Sequence, residues 1–231
     1  MGKYILKRIA LAIVTIWAVA TITFFLMNLV PGGPFLSEKA ISPAATKALE
    51  AKYGLDKPMA ERYFTYISDA AHGDFGDSLK QRGRTVMDII ATKFPVSARL
   101  GGMAVVLALC VGVPLGVLAA YKRGTFIDSL FSVIATCGIA VPGFVICTLL
   151  LYVFGVKLQW LPTLGLKSAQ SYIMPVVALA AYPTSYIMRL MRSSMLDVLG
   201  QDYMRTAKAK GLSQKVSLFK HALRNAILPV I

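Results

Sequence analysis

The chain has 231 residues, of which 56% are hydrophobic and only 16% are charged. So many apolar and so few charged residues are unusual for a soluble domain of this size, and they indicate that lipid is the main solvent. The formal net charge is +14, but the basic residues lie mostly between apolar runs, which is the pattern of membrane topology and not of nucleic-acid binding.

Four uncharged apolar runs are long enough to cross a bilayer as helices, for which about 20 residues are needed. These runs cover residues 9–30, 100–121, 129–156 and 168–188. A fifth run begins at residue 226 and reaches the end of the chain. Because lipid cannot satisfy the open carbonyl groups of a half-helix, we expect at least one further span to be missing from this sequence. The runs predict an all-α, polytopic transmembrane helix bundle, truncated before its last spans.

The charges that flank the runs predict the orientation of the chain. Three basic residues precede the first run, and Lys122 and Arg123 follow the second. Residues 189–231 contain eight basic and two acidic residues. Because short basic flanks stay in the cytoplasm, we expect these regions, including the N-terminus, to be cytoplasmic. The longer segment 31–98, with nine basic and eight acidic residues, is expected to lie outside.

This pattern divides the chain into three parts. Residues 1–30 contain the N-terminal start and the first span, and residues 31–98 form an extracytoplasmic loop subdomain. Residues 99–231 form a core with the second to fourth spans, a short cytoplasmic helix and the start of a fifth span.

The outer loop has local structure of its own. A helix is expected to start at Ser42-Pro43, because proline is favoured at the first helical position. Further helices are expected at 59–70 and at 86–94, the latter ended by Pro95. Between them, residues 72–76 are predicted to form a turn, because Gly and Asp tolerate left-handed backbone.

Glycine and proline residues inside the spans predict close packing and bending. Gly112 and Gly116 are four residues apart, a spacing that lets helix backbones approach closely in lipid. Pro142-Gly143 interrupts the third run, and proline bends a span where neighbours re-satisfy the freed carbonyl group. These features are typical both of bending elements around a substrate path and of ordinary helix packing in membranes.

Sequence motifs for catalysis are absent. The G-x-x-x-x-G-K-[ST] phosphate loop does not occur, so the chain has no recognisable means to hydrolyse ATP, and the H-E-x-x-H and G-x-S-x-G motifs are missing too. The three cysteines lie in apolar runs, where we interpret them as small hydrophobic residues and not as disulfide partners or metal ligands. We therefore expect no enzyme activity, metal or cofactor. The spans also lack the ionisable side chains that ion-coupled carriers usually keep.

The segment after the fourth run has the most specific pattern. A short helix is predicted from Asp202 to Lys210, with its acid near the positive helix end, and Gly211 is placed to end it in the left-handed conformation. Ser213 can cap a second helix, which would carry Val216, Phe219, Leu223 and Ile227 on one face. The short helix would then stand across the cytoplasmic ends of two spans.

This segment resembles the coupling loop of ABC importer permeases. The general family motif is E-A-A-x-x-x-G followed by I-x-L-P, and alignment on Gly211 places Arg205, Thr206 and Ala207 at the E-A-A positions. The variant found here, R-T-A-K-A-K-G-L at 205–212 followed by H-A-L-R-N-A at 221–226, is similar to the oligopeptide and dipeptide branch of the family. The segments 29–34, 53–58, 72–78 and 94–97 resemble the same branch.

The resemblance implies a type I importer permease fold and a permease function in the bacterial inner membrane. Its expected partners are a second homologous permease subunit, two ATPase subunits, an extracytoplasmic substrate-binding protein and membrane lipid, with no nucleic acid. The coupling helix, about 201–211, would dock on an ATPase. The residues assigned to this ATPase-coupling loop are Asp202, Tyr203, Arg205, Thr206, Ala207, Lys208, Ala209, Lys210, Gly211, Leu212 and His221.

The substrate and the competing functions stay open at this point. The resemblance implies oligopeptides or dipeptides, with nickel chelates or glutathione as alternatives. An ion-coupled secondary transporter would need an ionisable residue in a span or an inverted repeat, and neither is evident. The third possibility is a membrane scaffold whose outer loop binds a partner. For the basic loop alone, contact with anionic lipid is the simpler interpretation, but it does not explain a glycine-terminated helix.

Overall fold

A computed structural model describes residues 1–29, 51, 54–81, 83–213 and 216–231, with Lys208 described by its backbone only. Across these residues the chain is helical, and the only β-type pairing is an isolated bridge between Asp77 and Thr85. The all-α fold expected from the sequence is confirmed. The residues group into two compact units, Met1–Phe94 and Pro95–Ile231.

The first unit contains helices α1 (Gly2–Leu29) and α2 (Met59–Ala71). None of the residues of α1 is buried, and the helix is long and apolar enough to cross a membrane. Near its end α1 contacts α2, where the hydroxyl groups of Thr21 and Tyr63 form a hydrogen bond of 2.8 Å and the rings of Phe24 and Tyr63 pack edge to face.

The local structure expected in the loop is partly confirmed. The helix at 59–70 is present as α2, and the turn after it contains Gly73 and Gly76 in the left-handed region. The Asp74 carboxylate accepts a hydrogen bond of 2.8 Å from the Gly76 backbone N–H. The predicted helix start at Ser42-Pro43 lies outside the described residues.

Helix α3 runs from Val86 to Tyr121, and the expectation that a helix at 86–94 ends at Pro95 is wrong. Both Pro95 and Pro114 lie inside α3. A proline removes one intrahelical hydrogen bond, and the bonds on either side are sufficient to continue a long apolar helix.

The third apolar run forms two helices and not one straight helix. Helix α4 covers Phe126–Ala140, and α5 covers Gly143–Leu150 and continues as a π-helix through Lys157. The two axes meet at 100°. The cause is local, since Pro142 has no N–H to donate and the residue before a proline is driven into extended backbone, as Val141 is, with φ −81° and ψ 121°.

Helix α6 (Ile173–Leu199) follows a short 3-10 turn at Ala169–Tyr172 and is the central element of the second unit. It packs very closely on α3, as the small residues there predicted. A Cβ atom added to Gly112 would lie 2.8 Å from the Thr184 carbonyl oxygen, and one added to Gly116 would lie 2.6 Å from that of Met188. Helix α4 also contacts α6, with Gly138 against the Ser185 side chain.

Among the described residues, three helices are long and apolar enough to cross a membrane by length and composition, and the bent α4–α5 pair can supply a fourth span. The chain then continues into helix α7 (Asp202–Ala209), a π-helix at Ser217–Ala222 and helix α8 (Leu223–Ala226). Residues 227–230, where a fifth span was expected to begin, form turns.

Candidate functional site

Helix α7 forms and ends as its sequence predicts. Asp202 lies in its first turn, where a negative charge favours the helix dipole. Gly211 has a φ of +74°, a conformation that glycine adopts without a steric penalty. The Leu212 N–H then donates to the Ala207 carbonyl group at 3.3 Å, the long-range bond of a Schellman motif. The boundary between α7 and the next segment is thus fixed by local backbone chemistry.

One face of α7 is buried in the second unit. Met204 is 1% exposed and Ala207 is 7% exposed, and their three-residue spacing places both on the same face. Met204 belongs to an apolar cluster whose members come from the end of α3, from α6 and from the segment after α7. The other buried members are Val117, Ala120, Met191, Met195, Leu218, Ala222 and Ala226. Helix α7 therefore shares one apolar cluster with two long apolar helices.

Hydrogen bonds reinforce this anchor. The Asn225 side-chain amide donates to the Tyr203 hydroxyl oxygen at 2.9 Å, which joins α7 to α8. The Ser194 hydroxyl group donates to the Ala226 carbonyl oxygen at 2.7 Å, which joins α8 to α6. Each bond connects elements that the sequence separates, so α6, α7 and α8 form one continuous packed body.

The opposite face of α7 is exposed. The Arg205 side chain is 80% exposed, and its ion pair with Asp202, at 3.6 Å, is a surface contact. Of the other residues assigned to the coupling loop, those exposed to solvent are Tyr203, Thr206, Ala209, Lys210, Gly211 and Leu212. Ala207 instead faces the apolar cluster, and His221 lies half-buried in the π-helix. The side chain of Lys208 is outside the described part of the structure.

The segment after α7 begins as expected but packs through a different face. The Ser213 hydroxyl oxygen accepts a hydrogen bond of 3.4 Å from the Val216 N–H, so Ser213 caps the new helix. Val216 and Phe219, two of the four residues predicted on one face, are both exposed. Leu218, Ala222 and Ala226 are buried instead. The π-helical turn changes the angular spacing of the side chains, and alanine allows close approach to α6.

A partly buried ion pair joins the start of α4 to α6. The Arg192 guanidinium group donates through Nε to one Asp128 carboxylate oxygen at 2.6 Å and through Nη2 to the other at 2.8 Å. The Gly124 backbone N–H donates to the same carboxylate at 3.0 Å. Asp128 directly precedes the third apolar run, but its partner Arg192 lies 64 residues away and could not be predicted from the local sequence.

The described residues contain no candidate metal site and no disulfide bond. Groups of three or more His, Cys, Asp or Glu side chains that could hold a metal ion do not occur among the residues with known placement. Cys110, Cys137 and Cys147 are free and exposed on apolar helices. Around α7 the structure shows a short helix with one face packed and the other exposed.

Comparison with known protein families gives two matches for this chain. The profile described as "Binding-protein-dependent transport system inner membrane component" matches residues 112–231, and the profile of the corresponding N-terminal part matches residues 1–101. The chain belongs to this family. It is a multi-pass inner-membrane protein, and the family resemblance seen in the sequence is confirmed.

Individual relatives of this inner-membrane component align along its whole length. It is 44% identical over 233 residues to the oligopeptide transport system permease protein OppB of Salmonella typhimurium, an alignment that covers 100% of the chain and 76% of the relative. It is 44% identical over 231 residues to the dipeptide transport system permease protein DppB of Bacillus subtilis, with 75% of that relative covered. The DppB protein of Lactococcus lactis is 39% identical over 231 residues.

Two residues important for the geometry of α7 were missed by the sequence analysis. Met204 fills the apolar cluster, and Asn225 binds the Tyr203 hydroxyl group. The available signal for Met204 was its position three residues before Ala207 in a helix whose other residues are mostly polar or charged. Asn225 lies within the H-A-L-R-N-A segment, but its partner could not be read from local spacing.

Proposed function

We propose that this chain is the membrane-spanning permease subunit of an ATP-driven, binding-protein-dependent importer that moves oligopeptides or dipeptides across the cytoplasmic membrane. The permease role follows from the family. The peptide substrate is supported by the relatives, which are permeases of oligopeptide and dipeptide transport systems. ATP hydrolysis is assigned to a separate subunit, because the chain has no phosphate-binding loop of its own.

The proposal rests on the geometry of α7, which has one buried and one exposed face. Met204 lies in the apolar cluster with residues of α3 and α6, and Ala207 is buried on the same face, whereas Arg205 and Lys210 are exposed and can contact another protein. A displacement of the exposed face by a docked ATPase is thus transmitted to two spans through close-packed side chains. Packed interfaces switch between discrete arrangements, which suits a transporter that alternates between two openings.

The remaining partners and the orientation follow from the same proposal. A second homologous permease completes the path, two ATPase subunits bind at the coupling helices, and a substrate-binding protein delivers the peptide to the segment 31–98. The N-terminus and α7 face the cytoplasm, in agreement with the basic flanks of the apolar runs. The coupling role of residues 201–211 and of His221 belongs to this proposal.

The direct test is peptide uptake by vesicles that contain the assembled transporter. Uptake that requires both ATP and the binding protein supports the proposal. Uptake driven by an ion gradient without ATP would replace it with a secondary transporter, and no uptake with all partners present would favour a scaffold.

A matched pair of glycine variants tests the coupling role. Gly211 and Gly165 have φ values of +74° and +79°, and added Cβ atoms at either position would meet no other atom within 4 Å. Proline is fixed near φ −65°, so both substitutions distort the backbone to a similar degree. We expect Gly211→Pro to reduce ATPase binding and uptake, whereas Gly165→Pro, in the loop between α5 and α6, leaves ATPase binding intact. Equal ATPase binding by both variants would contradict the coupling role.

A further inference from the structure

The break between α4 and α5 interrupts the backbone of an apolar segment. Val141 and Pro142 are both extended, Pro142 with φ −58° and ψ 138°, and the helix axis turns by 100° there. The run from 129 to 156 contains no charged residue, so this irregular backbone is surrounded by sequence that belongs in lipid. We call residues 139–144 the helix break.

The helix break lies well inside the apolar part of the second unit. The Asp128–Arg192 ion pair marks the charged edge of this unit, and α4 runs from that edge antiparallel to α6. At the break, a Cβ atom added to Gly143 would lie 4.0 Å from the Ala178 carbonyl oxygen of α6. About 14 residues of α6 separate Ala178 from Arg192, or ~21 Å of helix. The break is therefore within a hydrocarbon core that is about 30 Å thick.

Backbone groups at the break have no helical partners. Pro142 has no N–H, so the Gly138 carbonyl group loses its normal donor. The backbone bonds across the break are those from the Val141 N–H to Cys137 and from the Val145 and Ile146 N–H groups to Pro142. In the part of the chain that the structure describes, the carbonyl groups of Ile139 and Ala140 thus receive no backbone N–H.

Unpaired backbone groups at this depth require water or protein beside them, because each one costs several kcal/mol in hydrocarbon. Helix α6 covers one side of the break, near Ala178. The other side is open, with Pro142 and Gly143 exposed and the Phe144 side chain 74% exposed. Irregular backbone in membrane proteins is tolerated where it is buried in protein or lines a water-filled cavity.

We propose that the helix break lines the water-filled translocation path, and that its open carbonyl groups accept hydrogen bonds from N–H groups of the passing solute. The carbonyl groups at the end of α4 carry the negative end of the helix dipole, so they favour N–H donors and ammonium groups. A peptide offers both along its backbone and at its N-terminus. The identity of the solute as a peptide rests on the proposed function, whereas the contact with water does not.

Thiol labelling of the assembled transporter in membrane vesicles tests the assignment. In a variant in which Cys110, Cys137 and Cys147 are replaced by alanine, single cysteines are introduced by Ala140→Cys and Phe144→Cys. The control is Val106→Cys on α3, where the Val106 side chain is 61% exposed. Helices α3 and α6 run parallel, with Gly112 beside Thr184. Val106 lies six residues before Gly112 and Ala178 lies six residues before Thr184, so Val106 and Ala178 are at similar depth. All three positions are thus compared at similar depth.

A charged, water-soluble thiosulfonate reagent reacts with thiolates, which form in water and not in lipid. We expect the two cysteines at the break to be modified ~10-fold faster than the control cysteine, because burial in apolar surroundings suppresses the thiolate. We also expect a transported dipeptide to slow their modification and not that of the control. Equal rates at all three positions would overturn the proposal, whether lipid or another helix covers the break. ATP-dependent uptake by the cysteine-free parent tests the proposed function separately, and the second break variant decides if the first fails to assemble.

Discussion

Truncation of Met204 is the perturbation that most specifically loosens α7 without altering its exposed face. Met204→Ala removes the side chain that fills the cluster between the ends of α3, α6 and the segment after α7. The residues available for docking, such as Arg205, are unchanged. We therefore expect a transporter that still binds its ATPase but transmits less of the ATPase movement to the spans.

The magnitude follows from the burial of the side chain. Met204 is 1% exposed, and truncation of a buried methionine to alanine costs about 2–5 kcal/mol. Even the lower figure raises the population of locally detached α7 by roughly 30-fold, because each 1.4 kcal/mol is a factor of ten. Met204→Leu keeps the volume and is expected to cost less than about 1.5 kcal/mol, so it is the matched control.

Hydrogen exchange and transport stoichiometry measure the effect. In the assembled transporter we expect Met204→Ala to speed exchange at the amides of α7, including the Lys210 N–H that donates to Thr206 at 3.0 Å. The ATP hydrolysed per peptide imported should rise, whereas Met204→Leu should stay close to the parent. If Met204→Ala left both exchange and stoichiometry unchanged, the idea that α7 acts through this anchor would be refuted.

Three further predictions concern helix packing, the partly buried ion pair and docking. Gly116→Val should prevent α3 from packing on α6 and reduce the folded yield, because a Cβ atom at this position would lie 2.6 Å from a carbonyl oxygen. The control is Gly102→Val on the same helix, where an added Cβ atom meets no other atom within 4 Å and should be tolerated. Equal yields of the two variants in a detergent stability assay would count against the packing. Asp128→Leu and Arg192→Met should each lower the free energy of unfolding, towards the lower end of about 3–5 kcal/mol because the Arg192 side chain is 31% exposed. In thermal unfolding, the double variant should recover part of this loss. If the two losses simply add, the residues do not form a direct pair. Arg205→Glu should weaken co-purification of the ATPase and leave membrane insertion unchanged, because the ion pair between Arg205 and Asp202 is a surface contact of little energy. Normal co-purification and transport would contradict a role of Arg205 in docking.

Features set by local chemistry could be predicted from the sequence. The end of α7 at Gly211 and the cap at Ser213 follow from the conformations and hydrogen bonds that these residue types favour. The spacing of Gly112 and Gly116 predicted a close helix contact without naming the helix that makes it. In each case the few neighbouring residues contain most of the physical cause.

Features set by contacts between distant parts of the chain could not be predicted. Met204 joins Val117 and Leu218 in one cluster only after the helices have packed, so its importance is not visible in its own helix. The Asp128–Arg192 pair has the same origin. The helix break was marked locally by Pro142, but an uncharged run does not show whether such a proline bends a helix slightly or divides it, as the contrast with Pro114 demonstrates.

Site-specific photo-crosslinking shows whether a separate ATP-hydrolysing subunit binds the exposed face of α7. A photoreactive phenylalanine analogue replaces Arg205 in one variant and Leu164, which is 89% exposed in the loop between α5 and α6, in the other. We expect position 205 to crosslink to an ATPase subunit and position 164 not to do so. A complex in which position 205 captures no ATPase, or in which only position 164 does so, would show that α7 does not dock on the ATPase.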